Sequence, residues 1–347
     1  MKKAYVIPIF VPHLGCPKNC TFCNQKTISG QEKQVTGEDV KKIIEEYLNN
    51  FKDKSAIVQV AFFGGSFTGI SVEKQEELLE AAFEYIKDKK IDSIRLSTRP
   101  DYIDKDVLKR LKKYKVKTIE LGVQSSNDYI LKKCRRGHSF EDVKKASKLI
   151  RRYGFELGHQ MMCGLPDSTR LDEINTAKDI AKLKPKIVRI YPVLVIKGTK
   201  LAEEYENGSF EPLSVDSAVE TCKELYNFFN KKHITVIRMG LQNTDTISDP
   251  KNKQSEVIAG PYHEAFGQLV MDAVWYEKIL NKIKTFNVKV KEIAIHINPN
   301  DVNNVSGHKK ENLIKLKNLY EVDVKIIQEE KIKEGNFKID ILKTFKD

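Results

Sequence analysis

The sequence predicts an α/β fold, a helix-covered parallel sheet followed by a small α+β extension. Three observations predict it. Strand-like and helix-like segments alternate six times over residues 4–195. The intervening segments carry apolar residues three and four apart, as helices packed on a sheet require. The rhythm then breaks near residue 240. Six βα units imply a sheet buried on both faces, either a partial barrel or a doubly wound open sheet. Both gather the loops after the strand C-termini over one reaction centre.

The elements follow in order. AYVIPIFV (4–11), AIVQVAFF (56–63), DSIRLST (92–98), KTIELGVQ (117–124), FELGHQMM (155–162) and IVRIYPVLV (187–195) are short and mostly rich in β-branched, aromatic or leucine residues, so they read as strands. VKKIIEEYLNNF (40–51), EKQEELLEAAFEYIK (73–87), DKDVLKRLKKY (104–114), FEDVKKASKLIRRYG (140–154) and LDEINTAKDIAKL (171–183) read as helices. The distinctive residues follow strands. A cysteine-rich loop follows the first, GGSFTG the second, TRPD the third, Gln124-Ser125 the fourth and GLP the fifth. Residues 241–347 read as a separate α+β extension, with a long helix from about Tyr262, a strand at 292–297, a helix at 309–319 and strands at 322–328 and 337–342. This divides the chain into a core, 1–240, and an extension, 241–347, the latter a candidate lid and substrate-binding region.

The chain has 347 residues and a formal net charge of +12, of which residues 1–240 carry +11. A basic first domain suits a polyanion such as RNA, or simply a solvated lysine-rich surface. Six cysteines occur, three clustered and three scattered (Cys134, Cys163, Cys222), which is no disulfide framework. The scattered three read as small buried apolar groups. No apolar run approaches the ~20 residues of a membrane span, and the N-terminal stretch lacks the features of a signal peptide. A cytoplasmic protein is expected.

The cluster is CPKNCTFC: Cys16, Cys20 and Cys23. Three thiolates at this spacing can hold three irons of a 4Fe–4S cluster and leave the fourth open to a ligand. His13 could instead complete a Cys3His zinc site. A thioredoxin-type Cys-x-x-Cys leaves one cysteine unexplained.

The spacing, with Phe22 before the last cysteine and Asn24 after it, resembles the radical S-adenosylmethionine (SAM) superfamily. That resemblance implies a partial (β/α)6 TIM-type barrel and a metal site at Cys16, Cys20 and Cys23. Its cofactors are a 4Fe–4S cluster and SAM, cleaved to a 5′-deoxyadenosyl radical, with an electron donor such as ferredoxin or flavodoxin. GGSF, STRPDYID (97–104), IELGVQSSNDYILKKCRRGHS (119–139), GHQMMCGLPDST (158–169), RIYPVLVIKGTKL (189–201) and VIRMGLQ (236–242) narrow the resemblance to the catalytic subunit of Elongator, which modifies the wobble uridine of tRNA. Residues 270–347 do not read as that family's acetyltransferase domain, and the cysteine spacing is tighter than its usual long first gap.

The resemblance also implies site residues. Gly64, Gly65 and Ser66 would hold the methionine amine of SAM, Gln124 would lie near its carboxylate or ribose, Arg136 near its carboxylate, and Gln160 near its ribose. Arg99 is either a buried cation near the SAM carboxylate or the partner of Asp101. Tyr191 either stacks on adenine or substrate or is a core aromatic. His263 is either a proton carrier or part of a helix start, and His138 shapes a turn. The expected activity is radical SAM modification of tRNA. A radical SAM enzyme of the coproporphyrinogen-oxidase kind and a non-catalytic metal-binding RNA module are the alternatives.

Overall fold

The computed structural model describes residues 4–11, 20–24, 34–53 and 55–345. It forms two compact units, one of residues 1–218 and 228–264, the other of residues 219–227 and 265–347. Residues 241–264, grouped with the extension on the sequence pattern, cluster with the first unit.

The first unit is built on an open, curled parallel sheet of seven strands: β1 (Ala4–Phe10), β2 (Ile57–Phe63), β3 (Ser93–Thr98), β4 (Val116–Gln124), β5 (Glu156–Cys163), β6 (Ile187–Pro192) and Thr235–Met239. The short strands β7 (Val195–Ile196) and β9 (Val257–Ala259) pair antiparallel beside it, so Thr235–Met239 is β8. The partial barrel is therefore present, with seven strands where the alternation gives six. The seventh unit adds the helix Val215–Lys231 and β8. β8 is a five-residue edge strand carrying an arginine and no fully buried residue, so it lacks the apolar run of the central strands.

The helices between strands start where the sequence offers caps. Thr36, Ser139 and Thr169 each accept a hydrogen bond from the backbone of an aspartate three residues on, whose side chain returns the bond. Each such capping box satisfies two otherwise orphaned donors. Fully buried Ile7, Ile9, Val60, Phe62, Leu96, Ile119, Leu121, Met161 and Ile190 fill the layers on the sheet, each contributing about 1.5–3 kcal/mol by leaving water. Cys134, Cys163 and Cys222 are buried, as expected.

The second unit has a three-stranded sheet in the order β11 (Asp323–Gln328), β10 (Val290–Ile297), β12 (Phe337–Thr344). Trp275 and Ile279 of the helix Phe266–Ile283 pack with Ile293, Ile295 and Ile297 of β10 and Leu316 of the helix Glu311–Tyr320. No helix among the described residues is long and apolar enough to cross a membrane.

One buried acid fixes the loop after β5. Glu173, 4% exposed on the helix Arg170–Lys182, accepts the Gly164 N–H at 2.6 Å. Gly164 has φ +76°, and a Cβ there would meet Leu213 at 3.0 Å, so this turn needs glycine. Burial pushes the Glu173 carboxyl up to about 7. A raised pKa stabilises the fold below the carboxyl's ordinary range, and that contribution is lost as pH rises through about 7. Thermal unfolding of wild type and Glu173→Gln across pH 5–9 tests this. Wild type loses stability through neutrality more steeply than the variant; parallel profiles contradict the assignment.

Candidate active site

The loops after β1, β2, β3, β4 and β6 and the inner faces of the strands line one cavity in the first unit. Its wall includes Cys20, Phe22, Cys23, Gly64, Gly65, Arg99, Gln124, Arg136, Gln160 and Tyr191. Ten of the thirteen candidate catalytic and cofactor-binding residues thus meet in one place. Of the other three, Ser66 and His263 are not among the lining residues, and Cys16 lies outside the described residues.

Cys20 and Cys23 sit on one tight turn, closed by the Cys23 N–H donating to Cys20 O at 3.0 Å. The turn is pinned from both sides. Thr21 N–H donates to Cys134 O (3.2 Å), Leu201 N–H donates to Thr21 O (2.8 Å), and Asn24 Nδ2 donates to Lys197 O (3.2 Å). Cys20 and Phe22 bury themselves in an apolar cluster with Ile130, Cys134, Val193 and Leu201. Arg136 Nη1 donates to Cys20 Sγ at 3.5 Å, and its Nη2 donates to Gly122 O at 2.9 Å. A guanidinium donor beside the sulfur is a suitable hydrogen-bond partner for a thiolate-ligated cluster. Two thiols facing a cavity with such a partner fit a cluster held by thiolates. Among the described residues no group of three His, Cys, Asp or Glu side chains is placed to hold a metal ion. Cys16, the expected third ligand, and the zinc alternative through His13 both lie outside the described residues.

The glycine turn follows β2. Gly64 has φ +85° and Gly65 φ +48°. A Cβ on Gly64 would stand 3.0 Å from Val11 O, so side chains are excluded where the chain passes the end of β1. Ser66 is fully buried behind this turn. Its Oγ shares a hydrogen bond with Thr98 Oγ1 (2.8 Å) and accepts from Arg99 N–H (3.1 Å), tying the second rim loop to the third.

Of the two readings made for Arg99, the pairing with Asp101 is present. Arg99 lines the cavity, and it grips Asp101 in a bidentate pair, Nε to Oδ1 at 2.9 Å and Nη2 to Oδ2 at 2.7 Å. Gln124 adopts φ +68° at the end of β4, beside a register shift after Gly122, and its Oε1 accepts from Gln160 Nε2 at 3.3 Å. His138 Nε2 donates to Val123 O at 3.3 Å, while burial and then the charges of Arg136 and Arg99 lower its pKa to about 4. It is a neutral, structural ring at pH 7. Tyr191 Oη accepts from Arg189 Nη1 at 3.2 Å.

Among the cavity residues not singled out in the sequence, four carry charged or amide side chains: Glu120, Arg189, Arg238 and Gln242. Glu120 on β4 is 2% exposed and is paired with Arg189 of β6 and with Arg95 Nη1 of β3 at 3.4 Å. A signal was present. A parallel strand covered on both faces has no solvent for a charge, so charges inside TIELGV, IVRIYP and TVIRM must be paired or face a cavity.

Comparison with known proteins agrees with this fold. Residues 10–180 match the model of the radical SAM superfamily, and residues 185–275 match the radical SAM C-terminal domain. An uncharacterised protein of Methanocaldococcus jannaschii is 32% identical over 222 residues, 61% of this chain and 68% of that one. A tRNA uridine(34) acetyltransferase of Methanocaldococcus infernus is 31% identical over 186 residues, 47% of this chain and 34% of that enzyme. The chain thus matches about a third of that enzyme's length. The solved structure of M. infernus Elp3 lacking its N-terminus shares the fold, with a TM-score of 0.62 at 23% identity over 81% of this chain and 64% of that one. With the two family models falling in succession along the seven-stranded sheet and beyond it, the chain belongs to the radical SAM superfamily.

Proposed function

We propose that the protein uses radical SAM chemistry to modify tRNA, at a wobble uridine. The observation that carries this reading is the convergence of the Cys20–Cys23 turn, the Gly64-Gly65 turn and the Gln124–Gln160 pair on one cavity. The relatives named tRNA uridine(34) acetyltransferases and the +11 charge of residues 1–240 support RNA as the substrate.

Enzymes of this superfamily use a 4Fe–4S cluster and SAM, which together supply a hydrogen-abstracting 5′-deoxyadenosyl radical. In this chain Cys16, Cys20 and Cys23 would ligate the cluster, with Arg136 donating a hydrogen bond to the Cys20 sulfur. The bare backbone at Gly64 and Gly65 would receive the amine of SAM. Gln124 and Gln160, neutral donors and acceptors both, would meet its polar groups. Phe22 excludes water from the cysteine turn, and Tyr191 offers a ring face to a base. His263, outside the lining, is assigned no step. We assign the radical chemistry to the first domain and a substrate-contacting role to the C-terminal extension, with a small ferredoxin or flavodoxin as electron donor.

Two measurements check the reading. After anaerobic reconstitution with iron and sulfide, Cys20→Ala and Cys23→Ala lose the brown chromophore and most of the bound iron that wild type retains. Iron content equal to wild type in either variant contradicts the ligand assignment. For the substrate, modified nucleosides of bulk tRNA are compared between cells with and without the gene. A uridine modification disappears with the gene; identical profiles contradict a tRNA substrate.

A further inference from the structure

The wall formed by β6 and β8 carries more positive charge than the protein neutralises. Arg189 and Arg238 stand directly opposite each other in the parallel register of these strands, and both line the cavity. Like charges placed opposite one another in a sheet are destabilising. Arg189 is balanced by Glu120. Arg238 is not. It is half-buried, its Nε donates to Gly240 O at 3.2 Å and its Nη1 donates to Gln242 Oε1 at 3.4 Å, both neutral acceptors. The groups whose charge acts on it are Tyr191 and Arg189, with no carboxylate among them, and burial lowers its pKa. A partly desolvated guanidinium that faces a cavity and has only neutral acceptors gains a charge-assisted hydrogen bond when an anion arrives.

Arg238 stands on a different strand from those that the cysteine and glycine turns follow. β8 is the last strand of the sheet, at the opposite edge from β1 and β2. From this arrangement we propose that Arg238, with the adjoining loop through Gln242, is an anion site that takes a backbone phosphate of the RNA substrate. The proposal rests on the RNA reading above. It adds that a phosphate contact inside the cavity, and not only the basic outer surface, holds the nucleotide.

The test is binding of bulk tRNA to the reconstituted protein across a range of salt concentrations, for wild type, Arg238→Gln and Arg238→Lys. Each phosphate contact contributes about 0.7–0.9 to the slope of log K against log salt. Arg238→Gln therefore binds severalfold more weakly at low salt, with a slope shallower by about that amount. Arg238→Lys keeps the charge and the wild-type slope. Thermal unfolding of both variants separates loss of the contact from loss of the fold. Wild-type binding with an unchanged slope in a folded Arg238→Gln overturns the site and leaves the RNA reading standing. A loss of SAM affinity in Arg238→Gln with tRNA binding intact also overturns it, because the anion is then the cofactor's carboxylate. Absence of tRNA binding by wild type fails the RNA reading itself, and the site with it.

Discussion

Arg189 reaches Glu120 across a strand that has no side chain in the way. Gly158 of β5 lies opposite Glu120 in one register and opposite Ile187 in the other. A Cβ there would stand 2.8 Å from Glu120 Cγ and 3.0 Å from Ile187 Cγ1. The bare position lets β4 and β6 share a buried ion pair over β5, and Arg95 of β3 joins it. Removing one partner from such a pair leaves an uncompensated buried charge, which costs about 3–5 kcal/mol. The network spans four neighbouring strands on the inner face of the sheet, the face whose upper end carries the cavity. The rim loops stand on this floor, so their spacing depends on it.

Above the floor the rim loops hold one another. Ser66 links the second to the third, Arg136 links the cysteine turn to β4, and Glu173 anchors the loop after β5. Each link joins a polar side chain to backbone or to another side chain within one unit, and each is buried. That is the condition under which a hydrogen bond fixes geometry most firmly, since its loss exposes no compensating water.

Much of this was legible in the sequence. The six strand candidates all fall on strands of the sheet, because parallel strands buried on both faces read as short continuous apolar runs. The cysteine and glycine turns were legible because their residue types have few other uses. What escaped was long-range or marginal. Glu120 and Arg189 are 69 residues apart, and nothing local announces their pairing. β8 escaped because an edge strand needs less apolar character. Ser66 was read for its place in GGSF, yet its hydroxyl faces Thr98 and Arg99, a contact only the fold creates. The long helix expected from about Tyr262 begins at Phe266, after a turn at Gly260 with φ +107° that periodicity does not register.

The proposed function requires the cysteine turn and the neighbouring rim loops to form one SAM-cleaving centre. The most direct measurement is product analysis of anaerobically reconstituted, reduced protein incubated with SAM. A SAM-cleaving centre releases 5′-deoxyadenosine in multiple turnovers, dependent on reduction and absent when Cys16, Cys20 or Cys23 is replaced. A fully iron-loaded, reduced protein that binds SAM and releases no 5′-deoxyadenosine, with or without RNA, would contradict the proposed function.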